Sequence, residues 1–226
     1  MMTLAKYGKK EWGGSGIAAL ILIGIGMLLN GAFGWTLAVI AAVLWLALAA
    51  FFRVPDRSIP QAPELILSPA DGLVKDIEEV TDHGIECFEG LPLLRIGIFL
   101  SVLDVHVNRA PCDLSVQYRR YKEGRFLDAR DPRCAKENES LVIAGTAQAA
   151  GKSFSMAIRQ ISGAIARRIV CDPEPGTELT KGEIYGMIKF GSRTELYLPA
   201  EDWITPAIQI GDKVRSGTTV MARINA

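Results

Sequence analysis

The chain has 226 residues, with 25 Lys and Arg against 25 Asp and Glu, and 49% of it is hydrophobic while 22% is charged. A zero net charge gives no sign of the basic surface that nucleic-acid binders carry, so DNA and RNA are not expected partners. Cys87, Cys112, Cys134 and Cys171 form no C-x-x-C pair, which excludes a zinc ribbon or dithiol redox motif and fits a reduced, cytosol-facing domain.

In chain order, the first feature is residues 12–52, a stretch without a single Asp, Glu, Lys or Arg. It is far longer than the ~18 apolar residues that signal a membrane span. Asn30-Gly31-Ala32-Phe33-Gly34 interrupts it near the middle, and glycines there can take the positive φ values that a reversal needs. The prediction is two helices of about 18 residues, each ~27 Å long, forming a hairpin over residues 1–52. Lys6, Lys9 and Lys10 precede it and Arg53 and Arg57 follow it, so the positive-inside rule puts both ends in the cytoplasm. A signal peptide or a buried core hairpin is the rival reading.

Three prolines in residues 53–63 predict a linker leaving the membrane surface. From residue 64 to 226, short β-rich runs alternate with Gly, Pro, Asp and Asn, which predicts a mainly β, α+β domain. Gly176-x-x-Leu179-x-x-Gly182 and Gly211-x-x-Val214-x-x-Gly217 share one spacing. With Ser68-Pro69-Ala70-Asp71-Gly72-Leu73-Val74, they resemble the half-barrel modules of lipoyl and biotinyl carriers. Gly-rich turns that recur in any β protein explain the spacing equally well.

Two histidines are available for acid/base work near neutral pH. His83, in Thr81-Asp82-His83-Gly84, reads as a solvated turn residue. His106 sits where two-residue alternation would put Asp104, His106 and Asn108 on one strand face, either as a satisfied core row or as a catalytic base held by a carboxylate. Gly191-Ser192 lies between apolar runs and reads, taken alone, as a strand turn. Neither a G-x-S-x-G elbow, a Walker loop, a G-x-G-x-x-G fingerprint nor an H-E-x-x-H motif occurs. The run Tyr118-Arg119-Arg120-Tyr121-Lys122-Glu123-Gly124-Arg125-Phe126 is either a lipid-facing surface or an ordinary solvated strand end.

Ser68-Pro69-Ala70-Asp71-Gly72, Asp104-Val105-His106-Val107-Asn108-Arg109 and Phe190-Gly191-Ser192-Arg193, in this order behind a membrane anchor, resemble the phosphatidylserine decarboxylase family in its short prokaryotic form. The resemblance implies a proenzyme that cuts itself between Gly191 and Ser192. Ser192 would become a pyruvoyl group, giving a β chain of residues 1–191 and an α chain of residues 192–226 that stay associated. It implies an Asp71, His106, Ser192 triad, with Asp104 the competing carboxylate from the sequence alone. The pyruvoyl carbonyl would form a Schiff base with phosphatidylserine in the membrane and release CO2, leaving phosphatidylethanolamine, without PLP or a metal. The longer bacterial form has a second His three residues before the equivalent of His106, where this chain has Leu103. A pyruvoyl decarboxylase of a soluble amino acid, or a membrane-anchored lipoyl-like carrier using Lys189, is the alternative. Homo-oligomerisation stays open.

Overall fold

The computed structural model describes residues 2–131, 133–164, 168–189 and 191–225. The chain divides into two compact units, Met1–Asp56 and Arg57–Ala226.

In the first unit, helices α1 (Lys9–Leu29) and α2 (Gly31–Phe51) are joined at Asn30 alone. Asn30 and Gly31 take φ of 50° and 65°, and the Asn30 side chain accepts a 2.8 Å hydrogen bond from Gly31 N. The reversal is thus tighter than the five-residue cluster in the sequence suggests, because Asn tolerates the left-handed region and caps the next helix itself. Small residues let the helices touch: a side chain on Gly26 would begin 2.5 Å from the Gly34 carbonyl oxygen. At the open end Trp45 Nε1 donates to Trp12 O at 3.0 Å. Both helices are long and apolar enough to cross a membrane. Two short strands, β1 (Thr3–Leu4) and β2 (Arg53–Val54), pair across the ends of the hairpin.

The second unit is mostly β. Its strands, among the described residues, are β3 (Leu65–Leu67), β4 (Gly72–Val80), β5 (Leu93–Leu100), β6 (Val107–Arg109), β7 (Asp113–Lys122), β8 (Ser140–Ala149) and β9 (Lys152–Ile161). There follow β10 (Arg168–Cys171), β11 (Glu178–Leu179), β12 (Ile184–Lys189), β13 (Ser192–Pro199), β14 (Ile204–Pro206), β15 (Lys213–Val214) and β16 (Val220–Ile224). The large antiparallel sheet has the order β11-β7-β8-β9-β13-β5-β4-β15, and smaller sheets run β10-β12-β6 and β14-β16-β3. Period-two alternation on β13 sends Leu196 and Leu198 into the main core with Ile96, Ile98, Ile143 and Ile158, while Tyr197 joins a smaller cluster on the other face. The mainly β domain behind an apolar helical pair is the architecture that the sequence predicts.

The two glycine-bracketed units of the sequence recur as matched structures at opposite edges of the large sheet. Gly176, Gly182, Gly211 and Gly217 take φ of 97°, 80°, 97° and 71°, a region where a Cβ is strained. Gly176 N donates to Val116 O at 2.8 Å while Val116 N donates to Thr177 O at 2.9 Å. On the far edge Gly211 N donates to Val74 O at 2.9 Å and Val74 N to Asp212 O at 2.9 Å. Each unit therefore grips its own partner segment, residues 110–116 or residues 68–74. Those partners share a Pro-x-Asp step, Pro69-Ala70-Asp71 and Pro111-Cys112-Asp113. The correspondence extends to the carboxylates: Ser216 N donates to Asp71 Oδ1 and Lys181 N to Asp113 Oδ1, each at 2.8 Å.

Candidate active site

Ser192 opens β13, paired with Leu100 at the end of β5, and the next residue, Arg193, is paired with Ile161 at the end of β9. Ser192 is fully buried, and its Oγ has no hydrogen-bond partner among the described residues. An unsatisfied buried hydroxyl costs ~1–3 kcal/mol, so its retention needs a reason. The preceding Gly191 has φ of +57°, and its carbonyl oxygen lies 2.3 Å from where a side chain on Gly163 would begin. Gly163 thus makes room for the carbonyl that Ser192 would attack. Phe190 of the sequence motif lies outside the described residues.

His106 precedes β6 and is fully buried. Its Nδ1 lies 2.9 Å from the Asp104 backbone oxygen. A carbonyl only accepts, so Nδ1 carries the proton and neutral His106 has its lone pair on Nε2, the arrangement a general base needs. Asp104 is not on the strand face that the alternation suggests. It closes a turn, with Oδ2 accepting from Ser101 N at 2.7 Å, and it reaches His106 through its backbone instead of its carboxylate.

Asp71, nearly buried, precedes β4. Arg57 binds it bidentately, Nη1 to Oδ1 at 2.6 Å and Nη2 to Oδ2 at 2.7 Å, and Ser216 N adds the bond to Oδ1. Three acceptor positions are used by these bonds, and one is left on Oδ2. Arg57 Nη1 also reaches Ser216 O at 2.7 Å and Ser216 Oγ at 2.9 Å. The sequence presents Arg57 as a flanking charge of the hairpin, yet its side chain is 9% exposed. No local pattern marks it, because its partners are 14 and 159 residues away.

Asn108 ties the three segments together. Its Nδ2 donates to Pro69 O at 3.3 Å and to Thr194 Oγ1 at 3.2 Å, and its Oδ1 accepts from Gln160 Nε2 at 2.9 Å. Pro69 stands two residues before Asp71, Thr194 two after Ser192, and Asn108 two after His106. The polar row of the sequence contains this hub, although only the fold shows what it joins.

The opposite face of β13 carries a charge network that the sequence does not announce. Arg193 donates from Nε to Glu195 Oε1 at 2.9 Å and from Nη2 to Asp76 Oδ1 at 2.7 Å. Tyr197 Oη donates to Glu195 Oε2 at 2.5 Å, and Arg159 Nη1 donates to Tyr197 Oη at 2.8 Å. Burial opposes the Arg193 charge, but Asp76 and Glu195 outweigh it and keep the guanidinium protonated; burial and the Glu195 charge push the Tyr197 hydroxyl up. The strand that begins with Ser192 is thereby locked from its far side.

Other candidates fall away. His83 is buried, not solvated: its Nδ1 accepts from Ile85 N at 3.2 Å, leaving Nε2–H to donate to Leu91 O at 3.2 Å, so both nitrogens are used by a turn. Lys189 is a buried residue of β12, not the tip of a hairpin where a carrier would be loaded. Burial pushes the Cys112 and Cys171 thiols up to about 12 and Cys134 to about 11, so none of these is a thiolate nucleophile near neutral pH. Leu103, where the longer form has its second histidine, is 84% exposed.

A buried serine whose Oγ has no hydrogen-bond partner among the described residues stands beside a positive-φ glycine, on a strand that Asn108 ties to the segment carrying His106. The phosphatidylserine decarboxylase family model matches residues 45–222. The chain belongs to the phosphatidylserine decarboxylase family. It is 41% identical over 205 residues to a phosphatidylserine decarboxylase proenzyme of Carboxydothermus hydrogenoformans, covering 91% of this chain and 92% of that protein. Proenzymes of the same name from Rhodopirellula baltica and Paramagnetospirillum magneticum are 41% and 34% identical, over 92% and 100% of this chain and 86% and 92% of theirs. Membership in this decarboxylase family makes the chain an enzyme, a carboxy-lyase and a component of phospholipid biosynthesis.

Proposed function

We propose that this chain is a self-processing phosphatidylserine decarboxylase, anchored by its helical hairpin with both hairpin ends, and so the catalytic domain, on the cytoplasmic face. The observation that carries the reading is Ser192 Oγ, buried without a partner immediately after the positive-φ Gly191. His106 Nε2 takes the Ser192 hydroxyl proton, Oγ attacks the Gly191 carbonyl, and the peptide becomes an ester. Loss of the Ser192 α-proton expels the Gly191 carboxylate as the new end of the β chain, residues 1–191. The dehydroalanine left at position 192 tautomerises and is hydrolysed, releasing ammonia. For Asp71, held by Arg57 and Ser216, to orient His106, its open Oδ2 position takes over the Nδ1–H that the Asp104 carbonyl otherwise accepts.

The pyruvoyl group made from Ser192 supplies the electron sink for loss of the substrate carboxylate. Around it, β5 and β9 hold the new α-chain terminus in place, and His106 serves as proton carrier through Nε2. A tether in the bilayer that holds the lipid raises the local substrate concentration without extracting its acyl chains.

Intact mass spectrometry under denaturing conditions tests the reading. We expect two chains split between Gly191 and Ser192, the small one lighter than a serine-started peptide by one ammonia, and CO2 release from phosphatidylserine. Ser192→Ala should remain one inactive chain; cleavage in that variant, or an active uncleaved wild type, would refute the mechanism.

A further inference from the structure

Most cations of the second unit are committed. Arg57 pairs with Asp71, Arg95 with Asp76 and Glu78, Arg119 with Glu174, Arg120 with Glu86 and Arg193 with Glu195. The Tyr118–Phe126 run is therefore a poor anion surface, since Arg125 is also paired, with Glu137, and Lys122 is bonded to the Lys136 carbonyl. Lys213 and Arg215 differ: both are exposed and form no ion pair among the described residues. They rim a cavity of about 790 Å³ whose wall includes Asp71, Phe99, Ser101 and Asp104. Lys75, which also forms no ion pair among the described residues, lies over the Phe99 ring at 5.9 Å.

Of the two carboxylates in that wall, Asp71 is charge-paired with Arg57 and Asp104 is engaged by the Ser101 backbone N–H, so the two cations outnumber the one carboxylate there without a cation. Ser101 follows Leu100, the residue paired with Ser192. Neighbouring strands run ~4.8 Å apart, so one edge of the cavity is about a strand's width from the nucleophile. In phosphatidylserine the reacting amine and the phosphorus are joined only through Cα, Cβ and an ester oxygen. A phosphate group must therefore sit within a few bonds of any amine bound at position 192.

We propose that Lys213 and Arg215 bind the phosphodiester of the lipid substrate in this cavity, which makes the α chain the carrier of both the reacting group and the headgroup anchor. The proposal rests on the phosphatidylserine reading above. Two cations on one phosphate form charge-assisted hydrogen bonds, and Arg215 can do so bidentately.

The test uses the full chain in detergent with a short-chain, monomeric phosphatidylserine. Lys213→Gln/Arg215→Gln should cleave itself completely, raise KM about tenfold, equivalent to ~1.4 kcal/mol of binding, and change kcat less than about twofold. Arg120→Gln, outside the cavity, should leave KM unchanged. By calorimetry, glycerophosphoserine should bind the wild type and not the double variant, and more tightly than inorganic phosphate does. Equal binding of inorganic phosphate would overturn the headgroup assignment in favour of a free-phosphate site. An unchanged KM for monomeric substrate, with a loss confined to anionic vesicles, would reduce the cations to surface attraction and sink the subsite. Incomplete self-cleavage of the variant would make them structural. A wild type inert on phosphatidylserine would instead refute the underlying reading, while the calorimetric comparison would still decide the subsite.

Discussion

At the scale of single residues, the site depends on close approach. Gly163 is buried, and the flanking Ser162 is pinned on both sides, its N donating to Glu139 O at 2.9 Å and its carbonyl accepting from Asn138 Nδ2 at 2.8 Å. The backbone at 163 cannot retreat easily, so a methyl group there must push the Gly191 carbonyl away from its position. A displacement of about an ångström costs roughly a hundredfold in a positioned reaction. Gly163→Ala should slow self-cleavage by about that factor, read as uncleaved chain over time by denaturing mass spectrometry; wild-type kinetics would show that the carbonyl can be accommodated elsewhere. His106 illustrates the limit of residue-level reading. Its place in a polar row is visible in the sequence, but the partner that sets its tautomer is a backbone carbonyl, which carries no residue signature.

At the scale of elements, the repeated modules separate two roles of one carboxylate. Asp71 and Asp113 both accept a backbone N–H from the glycine-bracketed unit opposite, so that bond belongs to the module and not to catalysis. What distinguishes Asp71 is its bidentate pairing with Arg57. Asp113→Asn should cost ~1 kcal/mol or less and leave self-cleavage unchanged, because the amide keeps an acceptor. Asp71→Asn strands a buried guanidinium, which typically costs ~3–5 kcal/mol, and should also stop self-cleavage. Urea unfolding and chain composition would check both; comparable behaviour of the two variants would remove the catalytic distinction. The second Pro-x-Asp step, at residues 111–113, was legible in the sequence and becomes conspicuous only when the hydrogen bonds align it with the first.

For the molecule as a whole, the expected linker over residues 53–63 does not end where the second unit begins. Arg57 lies in that unit, and Ile59 packs against both repeats: a side chain on Gly182 would begin 2.6 Å from Ile59 Cγ2, and one on Gly217 2.9 Å from Ile59 Cδ1. Deleting residues 1–52 should therefore release a soluble, self-cleaving protein, whereas deleting residues 1–60 should cost ~3–5 kcal/mol by stranding Asp71 without Arg57. Sedimentation in high salt and thermal unfolding would distinguish these. Persistent membrane pelleting of the shorter deletion would show a second anchoring surface, and equal stability of the two would remove Arg57 from the account.

The amino-acid sequence by itself determined the features whose physics is local. An uncharged stretch of 41 residues can only be satisfied by an apolar environment, alternating short runs with turn residues make a β domain, and three ordered motifs single out Asp71, His106 and Ser192 as the proposed site. Tertiary structure alone decided which groups those residues meet. Arg57 on Asp71, Asn108 between Pro69 and Thr194, and Gly163 against Gly191 each join positions far apart in the chain. Their energies come from burial and from hydrogen-bond geometry that exist only once the sheets have closed.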